Sequence, residues 1–127
     1  MRQLLLLLWG LILFVGCGKL PINGDLDGQW QIQEIRYTDG RVETPERAYY
    51  CVQLHTITLR QVGNYPGETG NMVYEGDQLR IDMPLSDVSD LRVFGLDDTK
   101  ETFAITELSS SRLVLTSDYA RLTLRKF

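Results

Sequence analysis

The chain has 127 residues, 24% charged and 43% hydrophobic, with 17 acidic against 13 basic side chains and a net charge of −4. That length holds one domain with a modest core, and the acidic balance excludes nucleic acid and anionic headgroups as electrostatic partners. With a single histidine, His55, and two cysteines, Cys17 and Cys51, no Cys/His metal spacing and no phosphate-cradling glycine loop occur.

The chain opens Met1-Arg2-Gln3, then runs uncharged from Leu4 to Val15, the basic and apolar regions of a secretory signal. Twelve residues are too few for a transmembrane helix, which needs about 20. The run ends at Gly16-Cys17-Gly18, so residues 1–16 are expected to be a removed signal peptide. Leu13-Phe14-Val15-Gly16-Cys17 resembles a bacterial lipobox, departing from the usual pattern at Phe14, where most carry Leu. The resemblance implies lipid attachment at Cys17 and a durable membrane anchor, because several acyl chains bind far more firmly than one. Gly18 follows the cysteine where an aspartate would signal retention. By resemblance to enterobacterial sorting this implies the outer membrane, and the lack of an acidic cluster after Cys17 favours the periplasmic face. Removal of residues 1–16 takes one of the 13 basic side chains and none of the 17 acidic ones, leaving 12 against 17 and a net charge of −5. Cys51 is then without an internal partner and reads as a small buried hydrophobe.

Residues 17–25 read as a lipidated tether, with Pro21 and Asn23-Gly24 in it, and residues 26–127 as the domain. Apolar residues then recur with period two, the mark of half-buried strands. Trp30 and Ile32 alternate with Gln29, Gln31 and Gln33. Leu79, Ile81 and Met83 follow, then Phe103 and Ile105, Leu113 and Leu115, and finally Ala120, Leu122 and Leu124 against Arg121, Thr123 and Arg125. Turn signals separate these runs at Asp39-Gly40, Gly67 to Gly70, Gly76-Asp77, Leu96 to Asp98, Ser109 to Ser111 and Ser117-Asp118. Between Tyr49 and Gln61 the phase changes: Tyr50, Val52 and Leu54 share one face and Ile57 and Leu59 the other, which a bulge or sharp bend near His55-Thr56 would reconcile. Pro84 to Leu91 suits one short helical turn, with Asp87 and Ser89 as possible caps. About eight strands joined by short loops predict an all-β fold, an antiparallel up-and-down β-barrel. A transmembrane barrel is disfavoured, since the lipid-facing set of the last strand would contain Arg121 and Arg125.

Gly28-Gln29-Trp30 at the start of the first strand resembles the G-x-W that opens lipocalins. Together with Arg125-Lys126-Phe127 at the far end, it resembles the small lipocalin-like domains of lipoproteins from gut-type bacteria. The resemblance implies that Gly28 lets the chain turn in, that Trp30 plugs the barrel floor, and that an arginine near the closing strand, Arg121 or Arg125, stacks on it. Ser117-Asp118-Tyr119 is similar to a lipocalin loop motif, but one strand follows it where the family has two. Asn23, Asp25, Asp27, Gly28 and Glu34 have the spacing of an EF-hand loop without its flanking helices, so the expectation is a solvated turn and no metal. Asp82, Asp87, Asp90, Asp97 and Asp98 read as loop carboxylates of an acidic protein.

The expected function is non-catalytic binding of a small apolar or amphipathic ligand in the barrel mouth, without a cofactor. The candidate wall residues are Ile32, Tyr50, Val52, Leu54, Met72, Leu79, Ile81, Phe94, Phe103 and Ile105, because a barrel of eight strands has an interior that is either filled or left open for one small ligand. The alternative is a filled barrel acting as an interaction or inhibitor module for another envelope protein.

Overall fold

Alternation along each strand makes a sheet with one apolar face, and this sheet rolls until its two edges pair. The computed structural model describes residues 22–62 and 67–127; the expected signal peptide, Cys17 and the tether up to Pro21 lie outside the described residues. Among the described residues there are nine strands: β1 (Gly28–Tyr37), β2 (Val42–Glu43), β3 (Ala48–Gln53), β4 (Thr56–Gln61), β5 (Glu68–Glu75), β6 (Gln78–Asp82), β7 (Lys100–Leu108), β8 (Arg112–Thr116) and β9 (Ala120–Lys126). Each pairs antiparallel with the next, except that β2 is a short flap on β1 and β3 takes its place in the ring. β9 returns to β1 from Trp30↔Lys126 to Tyr37↔Ala120, closing an eight-stranded, lipocalin-like barrel that leaves no long edge unpaired.

The inward positions are apolar: Trp30, Ile35, Tyr50, Ile57, Leu59, Leu79, Phe103, Leu115, Leu122 and Leu124 are wholly buried, and no polar or charged residue is buried among the described residues. Burying one such side chain contributes about 1.5–3 kcal/mol, so the core is the main source of stability. The outer face carries Arg36, Arg80, Arg121 and Arg125, all exposed, the reverse of a transmembrane barrel. A bulge on β1 between Ile32 and Glu34 shifts the phase by one residue, so that Trp30 and Ile32 before it and Ile35 and Tyr37 after it all face the core. A second bulge interrupts β7 between Ile105 and Glu107.

The phase change expected near His55-Thr56 is a chain reversal and not a bulge. β3 and β4 form a hairpin in which Tyr50↔Leu59, Val52↔Ile57 and Gln53↔Thr56 are partners, leaving Leu54 and His55 as the turn. The expected turn at Gly67 to Gly70 is shorter than read, because β5 begins at Glu68.

Up-and-down connectivity puts alternate connections at opposite ends. The floor holds a 3-10 turn at Gly24–Leu26 ahead of β1, the Leu54-His55 turn, Gly76-Asp77 and the Ser109–Ser111 turn. The mouth holds the β1–β3 and β8–β9 connections, the end of β4 and the start of β5, and the long segment 83–99. In that segment the expected helical turn appears as α1 (Val88–Leu91), with Asp87 as its N-cap residue but without a side-chain capping bond. It runs on into a 3-10 turn at Arg92–Phe94, ended by Gly95 at φ 84.

Candidate functional site

At the floor, Trp30 is fully buried and its indole Nε1 donates to the carbonyl of Leu26 at 2.8 Å. Gly28 enters the strand at φ 132, and a Cβ there would lie 3.1 Å from Cε of Lys126. The cation over the indole is Lys126, with Nζ 4.9 Å from the ring centroid, and the same ammonium donates to the carbonyl of Asp25 at 2.8 Å. The expectation of Arg121 or Arg125 is thereby corrected, and strand parity is the reason. Lys126 is the cross-strand partner of Trp30 and shares the inward side with Ala120, Leu122 and Leu124, whereas Arg121 and Arg125 point out. Arg125 reaches Gln31 instead, at 3.5 Å.

At the other end the barrel is covered by its own chain. Leu91, Phe94, Gly95 and Leu96 of segment 83–99 are buried, and Met83 ahead of them is at 0% exposure. The cover is tied down through its main-chain groups. The Tyr50 hydroxyl donates to the Phe94 carbonyl, the Tyr37 hydroxyl lies 3.3 Å from the Arg92 carbonyl and 3.0 Å from a Glu43 carboxylate oxygen, and the Asp97 amide donates to Glu101 at 3.4 Å. Burial above all, then the negative charge of Glu101, raises the pKa of Tyr50 well above the ordinary phenol value. Burial, then the bond and charge of Glu43, raises that of Tyr37. Both hydroxyls thus remain donors. Glu101 is itself raised, chiefly by burial and further by the charges of Asp97, Asp98 and Asp118, with the Asp97 amide opposing.

Of the expected wall residues, Ile32, Tyr50, Val52, Met72, Leu79, Ile81, Phe94 and Phe103 are buried in one cluster, with Ile105 half-buried against it. Phe94 comes from the cover and not from the wall. Leu54 does not belong to the set: it is 53% exposed at the floor-end hairpin, because the alternation it seemed to continue stops at Val52. Leu91, Leu96, Glu101 and Lys126 went unrecognised. The length of the 83–99 connection in an otherwise tight meander is the signal that could have found the first two, since long loops in small domains are commonly functional.

Three surface concavities formed by described residues lie outside the packed interior. One of about 410 Å³ sits beside the cover between Tyr37, Arg41, Arg92 and Tyr119. Another of about 550 Å³ opens where β1 leaves β3, near Gln33 and Arg47. The third, about 460 Å³, lies along β5–β7 around Val73, Arg80 and Lys100. Cys51 is half-buried on the outer side of β3, its thiol pKa raised by burial, rather than in the core; His55 is exposed in its turn. The EF-hand spacing is used otherwise: the Asn23 side chain donates to Asp27 at 2.7 Å and to the Leu54 carbonyl at 2.8 Å, and Glu34 meets Arg36 at 3.2 Å. Among the described residues no three His, Cys, Asp or Glu side chains are grouped to hold a metal.

A family model described as a lipocalin-like domain matches residues 12–127. The fold is similar to the crystal structure of a lipocalin-like protein from Bacteroides uniformis, at 29% identity and a TM-score of 0.69 over 82% of this chain and 100% of that one. It is also similar to an uncharacterized protein from Bacteroides eggerthii, at 23% identity and a TM-score of 0.67 over 80% of this chain and 98% of that one. No curated protein matches the chain.

Proposed function

The chain belongs to the lipocalin-like domain family, and on that footing we propose that it is a non-catalytic binding module. In this reading it is lipid-anchored at Cys17 on the periplasmic side of the outer membrane and admits a small amphipathic ligand beneath the 83–99 cover. The observation that carries the reading is that core residues Leu91, Phe94 and Leu96 are supplied by a connection and not by a strand. Lifting that connection breaks no rung between barrel strands. It uncovers Tyr50 and the apolar wall around it.

The cover also sets the ligand class. Withdrawing each of those side chains costs about 1.5–3 kcal/mol of apolar burial, which the ligand must return with a comparable apolar group. The Tyr50 hydroxyl, deprived of the Phe94 carbonyl, requires a new acceptor, so the ligand carries an oxygen at one end of an apolar body.

Native mass spectrometry of protein purified from its own envelope tests this: a co-purifying small molecule is expected, and the Phe94→Ala variant should take up apolar probes more tightly than the parent. A clean apo spectrum together with a captured protein partner would overturn it in favour of the second reading, a filled barrel that binds another envelope protein. That reading is supported by the occupied interior and by the position of all three described concavities on the outside.

A further inference from the structure

We propose that the floor of the barrel seats on the bilayer surface through Ile22, Leu54 and Phe127, so that the covered mouth points away from the membrane. This rests on lipid attachment at Cys17 and is independent of what the barrel binds.

The first support is reach. Four residues lie between Cys17 and Ile22, a distance of five chain steps, and a chain extends at most about 3.3–3.6 Å per residue, so Ile22 at the floor lies within roughly 18 Å of the acylated cysteine. The mouth is a strand length farther away, since β1 runs up from the floor for 10 residues at about 3.3 Å each.

The second support is what the floor displays. Ile22 is 55% exposed, Leu54 53% and Phe127 72%. Two of them adjoin, since the Asn23 side chain, next to Ile22, donates to the Leu54 carbonyl at 2.8 Å, and Phe127 stands at the rim. The Phe127 amide donates to Gln29 at 2.8 Å, at the foot of β1, and its ring packs edge-on to Tyr49 with centroids 5.4 Å apart.

The third support is strain. Leu54 adopts φ 56, a conformation that tight hairpins normally assign to Gly, Asn or Asp. Folding gains nothing from a leucine that is both strained and half in solvent, whereas a bilayer surface gives its side chain somewhere apolar to go. The mature net charge of −5 excludes electrostatic adsorption as the cause, so the contact is apolar and does not need anionic lipid. Leu85, 93% exposed, lies on the mouth cover and supplies an internal control.

The test uses the full lipidated chain in phosphatidylethanolamine and phosphatidylcholine vesicles with brominated acyl chains, comparing Leu54→Trp, Phe127→Trp and Leu85→Trp. Expected are a blue shift and loss of most of the added emission for the first two, and no change for Leu85→Trp. Three results in protein that floats with the vesicles would each overturn the proposal. These are no quenching at 54 and 127, equal quenching at 85, or a shift at 54 that grows with protein concentration and not with vesicles, which would assign the patch to a second copy. An unmodified Cys17 in the mass spectrum, with no flotation, would remove the anchor and this proposal together. Ligand binding by the barrel would stay untouched by any of these outcomes.

Discussion

The hydroxyl of Tyr50, on β3, donates to the main-chain carbonyl of Phe94, in the cover, across 44 residues of sequence. This bond, buried at both ends, joins the barrel wall to the segment that shuts the mouth. Tyr50→Phe leaves the buried Phe94 carbonyl without its partner, at a cost of about 1–3 kcal/mol. A lower urea midpoint is expected, along with faster amide exchange across Val88–Leu96 than in the strands. Uniform acceleration through all strands would show that the cover does not move by itself.

At the floor, Lys126→Ala removes the ammonium from the Trp30 face and from the Asp25 carbonyl. The cation–π part alone is worth about 0.5–2 kcal/mol. Arg121→Ala and Arg125→Ala should stay within about 0.5 kcal/mol of the parent. Trp30 is the one tryptophan outside residues 1–16, so in protein prepared without those residues its emission during denaturation reports all three variants directly.

That pair also shows how far the sequence could be read. The alternation of Ala120, Leu122 and Leu124 already assigns the next inward position to Lys126. The analogy with a stacked arginine pointed to Arg121 and Arg125 against that parity, and parity decided. The ring of strands and the burial of Trp30 were legible because period-two patterning dictates which face is buried. Leu54 was misplaced because a hairpin and a bulge both interrupt a pattern, and only pairing partners tell them apart. The cover was unreadable as a plug: Leu91, Phe94 and Leu96 follow no strand period, and their burial depends on Gly95 and Leu122 meeting across 27 residues of chain.

Glu101 carries a pH dependence of definite sign. Its pKa in the folded protein is raised above the ordinary 4.5, first by burial and then by neighbouring carboxylates. The stability linked to its protonation is thus complete below the unfolded value and is lost as pH rises through the folded one. Glu101→Gln should be more stable than the parent at neutral pH. The gap should narrow as pH falls toward 4.5, as followed by thermal melts across that range; a gap that widens on acidification would contradict this.

Gly95 ends the 3-10 turn of the cover at φ 84, and a Cβ there would approach Leu122 to 2.9 Å. Gly95→Ala adds a left-handed backbone cost of about 1–2 kcal/mol to that contact. A lower melting temperature is expected, with the loss concentrated in cover amides by hydrogen exchange.

For the anchor, Cys17→Ser should shift the protein from the membrane fraction to the soluble envelope fraction with its fold unchanged by circular dichroism. Continued membrane association of this variant would assign attachment to something other than acylation.

The seam between β1 and β9 joins Trp30 to Lys126, the first and last strands to be synthesised. Until the final residues emerge, β1 has no second neighbour over most of its length and Trp30 has no floor. Pairing so distant in sequence makes folding slow, and here it also makes closure wait for β9. The same seam thus delays the closed barrel until β9 is available, so that β1 keeps an open edge, free to pair elsewhere, for as long as β9 is missing.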